Sequence, residues 1–397
     1  MKKKKLVLAG FDKVKNFGDP ILYRCAEYLI RDLVKGSDVE IVHLNLFGSG
    51  STGKIKGLQL KAVNSLIWRI KKRKKADRLV SLLENHAVKT SVSRYYKRAL
   101  KDASCLIFAG GGLIKYKYET FDYRLRLLIR QAEKQGIPVA LNAVGVEDYS
   151  EANTRCQLMK KALNSPVVKM ITTRDDIELL NNKYITNNDI VTARVADPAF
   201  WCDVVYNIKK KADSDVIGLG VVRSGIFKDN GIDLGEDALL NLWTGIIQEL
   251  DKRGIRWELF TNGLKADNEF AKKLLDKLNL EANMDVIARI PQTPEELVKV
   301  ISGFKKIIAC RMHACIVAYS LELPAVGLVW NNKLKMFGQT IGQEGNFIEP
   351  KDFDPVHIVD VLDRASINEA DVSFKNKYRK TCVERLREFL QSSGIIR

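Results

Sequence analysis

Two Rossmann-like, doubly wound α/β domains facing each other across a cleft are the fold class this sequence predicts. Three observations carry the prediction. Short apolar runs alternate with amphipathic helical stretches along most of the chain, the signature of a parallel sheet covered by helices. The alternation stops at the basic, polar segment "NIKKKADSD" and then restarts. A chain of 397 residues is also too long for one ordinary core.

In the first half, Leu6-Val7-Leu8-Ala9-Gly10 reads as a short buried strand. A loop, Asn16-Phe17-Gly18-Asp19, leads into a helix with Ile21, Leu22, Ala26, Leu29 and Ile30 on its apolar face. Further strands follow at "VEIVHLNLF", "CLIFAGGGL" and "IPVALNAVGV", and "VVKMITTRDDIELL" reads as a strand running into a helix. After the break come the strand "VIGLGVV" and the helix "DALLNLWTGIIQELDKRG", which ends at Gly254. Then come "RWELFTNG", "DNEFAKKLLDKLN", "MDVIARI", "TPEELVKVISGF" and "KIIAC", again strand and helix in turn. The expected domains are residues 1–207 and 214–370, with a helix over 371–397 packing at their junction. Ligands of such folds bind where strand ends meet a cleft.

Composition narrows the function classes. The net charge of +17 suits nucleic acid, a membrane surface or an anionic small substrate. No nucleic-acid-binding module or aromatic-basic alternation accompanies the charge, so nucleic acid is not an expected partner. The longest apolar stretch, Ala314 to Trp330, contains Glu322 and Pro324 and does not read as a membrane span; no secretory leader pattern follows the N-terminal lysines. Seven irregularly spaced cysteines fit a reducing cytoplasm.

Several motifs invite a chemical reading. Gly48 to Ile55 has the GxxxxGK spacing of a phosphate loop, but Ile55 stands where a hydroxyl should hold magnesium, so a plain loop is the better reading. Gly110-Gly111-Gly112 ends a strand where a chain reversal is expected; it is either a tight turn or a place where backbone N–H groups approach a ligand. "WRIKKRKK" (Trp68 to Lys75) reads as a basic amphipathic helix, either a solvated face or a contact for anionic headgroups.

The most informative segment is "KIIACRMHACIVAYSLELPAVGLVW". It reads as a strand, an apolar helix and a second strand, a βαβ unit with a right-handed crossover. Arg311 and His313 fall at the helix N-terminus, where backbone N–H groups and the helix dipole already favour an anion. A guanidinium adds bidentate recognition of carboxylate or phosphate, and an imidazole moves protons near neutral pH. The alternative is a structural histidine beside an arginine salt bridge. Lys333 follows the next strand, and Arg174 closes the strand "KMITT" ahead of Asp175 and Asp176, with which it is equally able to pair. Cys310, His313 and Cys315 do not share a helix face that aims all three at one ion, and no metal is expected.

These blocks resemble the polysaccharide pyruvyl transferase family. "NFGDPILYRCAEYLI", "LIFAGGGLI", "ITTRDDIELL", "VADPAF" and "CRMHACIVAYSLELPAVGLVWNNKLKMF" carry the resemblance, in order, over most of the chain. The resemblance implies a GT-B-like fold, phosphoenolpyruvate as donor, no further cofactor, and a pyruvate ketal on a sugar of a cell-surface polysaccharide or its polyprenyl-diphosphate-linked precursor. Together with the cysteine usage this gives a cytoplasmic enzyme as the expectation, with the acceptor on the 1–207 side and the donor on the 214–370 side. It is peripheral at the inner face of the membrane if the basic run at Trp68 to Lys75 meets an anionic surface. By the same match Arg174, Arg311, His313 and Lys333 contact the donor, with Gly111 and Gly112 beside it. "WNN" before Lys333 departs from the commoner aspartate and proline, which leaves Lys335 as an alternative in that register. Asn16 and Asp19 are the expected acceptor-side residues, Asp19 serving as hydroxyl base or, alternatively, as helix N-cap. Two other functions stay open: a nucleotide-sugar glycosyltransferase of the same architecture, and a non-catalytic binding protein that would tolerate loss of Arg311 and His313.

Overall fold

The computed structural model describes residues 3–48, 89, 92–117, 121–280 and 288–397. The chain divides into two compact units. The first comprises Met1–Asp12, Leu29–Val195 and Thr381–Arg397; the second comprises Lys13–Tyr28 and Ala196–Lys380. Residues 49–55 of the glycine-containing loop, the basic run Trp68 to Lys75 and residues 284–287 lie outside the described residues. Among the described residues no helix is long and apolar enough to cross a membrane.

The first unit is built on a seven-stranded sheet, as counted among the described residues. Its strands are β1 (Lys4–Gly10), β2 (Val39–Asn45), β3 (Cys105–Phe108), β4 (Gly111–Ile114), β5 (Val139–Val146), β6 (Val168–Thr173) and β7 (Val191–Arg194). They are ordered β2-β1-β3-β5-β6-β7, with β4 also beside β5. Every pairing is parallel. All residues of β3 and β5 are buried, which is why they read as apolar runs, broken only by Asn142 in β5, and not as alternating ones. Among its helices, α1 (Gly18–Leu33) starts in residues assigned to the second unit, while α2 (Phe121–Glu133) buries Leu125, Leu128, Ile129 and Ala132 at helical spacing. α3 (Thr154–Leu163) is capped by Asn153, whose side chain accepts from the Arg155 and Cys156 N–H groups.

The chain does not reverse at the three glycines. Both β3 and β4 pair in parallel with β5, so the strand jogs and continues in the same direction. Gly110 (φ 92°) and Gly111 (φ 87°) supply the jog, two successive left-handed residues that a side chain would oppose. On the partner strand the register shifts between Leu141 and Val144, around Ala143, itself at φ 50°. The Ala143 N–H donates to Thr172 Oγ1 at 2.8 Å, so the irregularity is hydrogen-bonded.

The second unit has, among the described residues, a six-stranded sheet of β8 (Ile217–Gly220), β9 (Trp257–Phe260), β10 (Ala288–Arg289), β11 (Lys306–Ala309), β12 (Ala325–Leu328) and β13 (Phe347–Ile348). The order is β10-β9-β8-β11-β12-β13 and all pairings are parallel. Successive strands spread from β8 toward one edge and then from β11 toward the other. The strand order therefore switches between β8 and β11, the place where ligand crevices form in such sheets. Its helices include α4 (Glu236–Lys252), α5 (Lys265–Lys277), α6 (Pro294–Ser302), α7 (Met312–Ser320), α8 (Asn332–Thr340) and α9 (Pro355–Arg364). One core joins Trp243, Ile246 and Leu250 of α4 to Ile358 and Leu362 of α9 and to Leu219, Ile308 and Val326 of the strands. From His313 to Ser320 every residue of α7 is buried, in keeping with apolar residues on all its sides.

Candidate functional site in the second unit

The site grows from the end of β11. After Ala309 the strand gives way to Cys310 and Arg311, and Arg311, with extended backbone (φ −89°, ψ 122°), occupies the N-cap position of α7. Among the described residues no side chain caps this helix. Its first turn therefore presents amide N–H groups and the positive end of the dipole. Burial pushes the Cys315 thiol up to about 12 and the Cys310 thiol higher still, so both are neutral packing groups.

His313 is 7% exposed and held between two neighbours. On one side Asp197 Oδ2 lies 3.8 Å from Nε2. Asp197 is itself buried, and its Oδ1 accepts from the Ala199 N–H at 2.8 Å, capping the turn Pro198–Trp201. That turn is fastened to α7 by Ser320, whose Oγ donates to the Phe200 carbonyl at 2.9 Å. On the other side lies Gly18, where a Cβ would come within 2.4 Å of His313 Nδ1 and 2.5 Å of Cγ.

The loop before α1 thus meets the imidazole directly. It is fixed by the Phe17 N–H, which donates to the Asn262 carbonyl at 2.9 Å, and by the Phe17 ring, which covers Gly263 (φ 90°). A Cβ at Gly263 would fall 2.2 Å from Phe17 Cε2. Asn16 and Asp19 flank this contact, linked by the Asp19 N–H to the Asn16 carbonyl at 3.2 Å and by Asn16 Nδ2 to Asp19 Oδ2 at 3.5 Å. Asp19 is the second residue of α1, in its first turn, and is not the N-cap.

Arg311 makes a salt bridge as well as standing at the helix terminus. Its Nε and Nη2 donate to Asp267 at 2.8–3.0 Å, and Asp267 is fully buried in the first turn of α5. Asp267 Oδ1 also accepts from the Arg223 N–H at 3.1 Å, just after β8. One carboxylate thereby ties together the ends of the two strands at the switch in strand order. Nothing in sequence pointed to Asp267, which reads only as an acidic residue suited to a helix start. Asp197 lay inside a recognised block but carried no assigned role.

Lys333 is the second residue of α8, whose cap is Asn331. Lys335, two residues on, places Nζ 2.7 Å from Glu349 Oε1. Trp330 Nε1 donates to the Cys310 carbonyl at 2.6 Å, which ties the end of β12 to that of β11. Arg311, His313, Asn16, Asp19 and Lys333 all belong to the second unit.

The remaining candidates belong to the first unit. Arg174 is 9% exposed and follows β6 directly. Its neighbours are engaged with the backbone. Asp175 Oδ1 accepts from the Val146 and Asp176 N–H groups at 2.8 and 2.9 Å, and Asp176 caps the following turn through the Leu179 N–H. Gly111 and Gly112 begin β4.

Residues 16–332 match the sequence model of the polysaccharide pyruvyl transferase family. No curated protein matches the chain in sequence. Solved structures that match its fold include a UDP-GlcNAc 2-epimerase from Neisseria meningitidis bound to UDP-GlcNAc, with a TM-score of 0.58 and 12% identity over 98% of this chain and 100% of that one. A putative UDP-N-acetylglucosamine 2-epimerase from Listeria monocytogenes gives 0.57 and 10% identity over 98% and 96%. The UDP-GlcNAc 2-epimerase from Methanocaldococcus jannaschii gives 0.52 and 13% over 91% of each chain. At such identities the likeness shows the fold alone: two parallel α/β sheets of the GT-B-like kind.

Proposed function

Because the chain belongs to the polysaccharide pyruvyl transferase family, we propose that it takes phosphoenolpyruvate as donor and forms a pyruvate ketal on two hydroxyls of one sugar. The acceptor is a cell-surface polysaccharide or its polyprenyl-diphosphate-linked precursor, met at the cytoplasmic face of the membrane. The observation that supports this most is the grouping at the start of α7. An uncapped helix N-terminus, a fixed guanidinium and a buried imidazole stand together there, with the Asn16–Asp19 loop against the imidazole.

The chemistry asks for such a grouping. Phosphoenolpyruvate carries a carboxylate and a phosphate on three carbons, and binding it takes several fixed positive groups. In the proposed reaction a proton adds to the vinyl CH₂, making it CH₃ and leaving the neighbouring carbon electron-poor. One sugar hydroxyl bonds to that carbon and gives up its proton. The C–O bond to phosphate then breaks with its electron pair, the phosphate leaves as the hydrogen phosphate, and the second hydroxyl closes the ring and loses its proton. Both hydroxyl protons are accounted for, one on the new methyl group and one on phosphate. Arg311 and the α7 amides hold the donor's negative charge, assisted by Lys333. His313 is the acid that supplies the vinyl proton, and Asp19 takes the proton of the attacking hydroxyl, with Asn16 orienting the acceptor.

The test is incubation of the full chain with phosphoenolpyruvate and a panel of lipid-linked and model glycosides, following inorganic phosphate and the mass of the sugar together. Equal amounts of phosphate and of pyruvylated sugar are expected. No product across the panel, with nucleotide released from a sugar nucleotide instead, overturns the proposal in favour of glycosyl transfer.

A further inference from the structure

We infer that Asp267 is a positioning residue for Arg311, fixing the guanidinium so that its Nη1 edge faces the anionic donor; the inference rests on the donor reading above. Three observations support it. Asp267 is fully buried, and both its oxygens receive charged or backbone N–H donors: Arg311 Nε at 3.0 Å, Arg311 Nη2 at 2.8 and 2.9 Å, and the Arg223 N–H at 3.1 Å. The bidentate grip uses the Nε–Nη2 side of the guanidinium, and among the described residues Nη1 donates to no protein acceptor. The Arg311 side chain retains 13% exposure, so this edge is the part that a ligand can reach.

Stability alone is a poor reason for this pair. Removing a carboxylate and a guanidinium from water costs about as much as their attraction returns, and a well-packed apolar pair of the same size would serve the fold as well or better. What the pair does supply is orientation. An arginine with a flexible stem sweeps a wide volume, whereas a planar fork clamped along one edge has its other edge fixed in direction. The clamp is anchored on both sides of the strand-order switch, because Asp267 also holds the backbone after β8. Its carboxylate does neutralise part of the charge of Arg311. A residue that only attracted the donor would be better without it, and that sets the sign of the test.

The experiment compares wild type with Asp267→Asn and Asp267→Glu in the full chain. It reads phosphoenolpyruvate affinity by calorimetry, kcat and KM for phosphate release with an active glycoside, and thermal midpoint. Positioning predicts that Asp267→Asn lowers kcat about 100-fold, the size of effect that ~1 Å of misplacement produces. KM for phosphoenolpyruvate should stay level or fall, because the positive charge is now uncompensated. Asp267→Glu restores the ionic grip from a displaced carboxylate and should recover part of kcat; it also serves if the Asn variant does not fold. A lower midpoint with both kinetic constants unchanged per folded molecule would mean a merely structural pair and overturns the inference. So does tighter phosphoenolpyruvate binding with kcat unchanged, which is the mark of simple charge balance. A wild-type chain that binds no phosphoenolpyruvate overturns the donor reading and this inference with it, whereas normal wild-type behaviour beside wild-type-like variants overturns the positioning role alone.

Discussion

Gly18 lies so close to His313 that a Cβ there would sit 2.4 Å from Nδ1. This is contact with the rigid ring, not with the end of a flexible side chain, and His313 is itself buried. Gly18→Ala must therefore displace either the imidazole or the loop. The expected result is a loss of about 1–3 kcal/mol in stability from overpacking, with a fall in kcat of about 100-fold from the misplaced ring. Urea unfolding and phosphate-release kinetics measure the two. Wild-type kcat in the alanine variant would show that the loop contact has no part in the chemistry.

His313 as proton donor gives a specific kinetic signature. His313→Asn should lower kcat by about 10²–10⁴-fold while phosphoenolpyruvate affinity stays within about threefold, the donor being held by Arg311 and the α7 amides. If the affinity drops by the same factor as kcat, His313 is a phosphate ligand and not the acid.

The jog at the three glycines is a backbone requirement. Gly110 and Gly111 have φ of 92° and 87°, where an L side chain costs about 1–2 kcal/mol. Gly110→Ala and Gly111→Ala should each lower the unfolding free energy by about that amount, read from denaturant midpoints at constant slope. A midpoint unchanged in both would mean that the strand takes another path there.

All seven cysteines are buried. Ellman's reagent should find the native thiols unreactive at neutral pH and titrate all of them in guanidinium. Burial raises Cys105, Cys202 and Cys315 from 9.0 to about 12, so the native state keeps protons that the unfolded chain releases above its own thiol range. The stability due to these protonated thiols is complete below about pH 9. It is lost as pH rises from there toward 12, by up to ~1.4 kcal/mol per pH unit for each thiol. Denaturation curves from pH 8 to 10.5 check the sign: stability that rises with pH over that range contradicts the assignment.

Much of the site was legible because its parts are local. "KIIACRMHACIVAYSLELPAVGLVW" alternates between strand and helix, so Arg311 and His313 had to fall at the turn between β11 and α7 whatever the rest of the chain did. The same locality misled at Gly110–Gly112. Three glycines after an apolar run signal a turn, and only the pairing of β4 with β5 shows that the strand continues. Asp19 gave a similar ambiguity: its residue type suits an N-cap, but α1 starts one residue before it.

The sequence by itself determined the alternation of strands and helices, the two parallel sheets, the family, and the position of Arg311 and His313 at a helix start. These follow from periodicity, glycine placement and short-range motif spacing, which act within a few turns of chain. The tertiary structure alone decided what surrounds those residues: that Asp267, 44 positions away, grips Arg311, that Asp197 stands beside His313, and that the Asn16–Asp19 loop belongs to the second unit and lies on the imidazole. Such contacts depend on which strand ends become neighbours and on how closely a side chain is approached. No local propensity encodes that choice; it is made when the sheet order is fixed and the core closes.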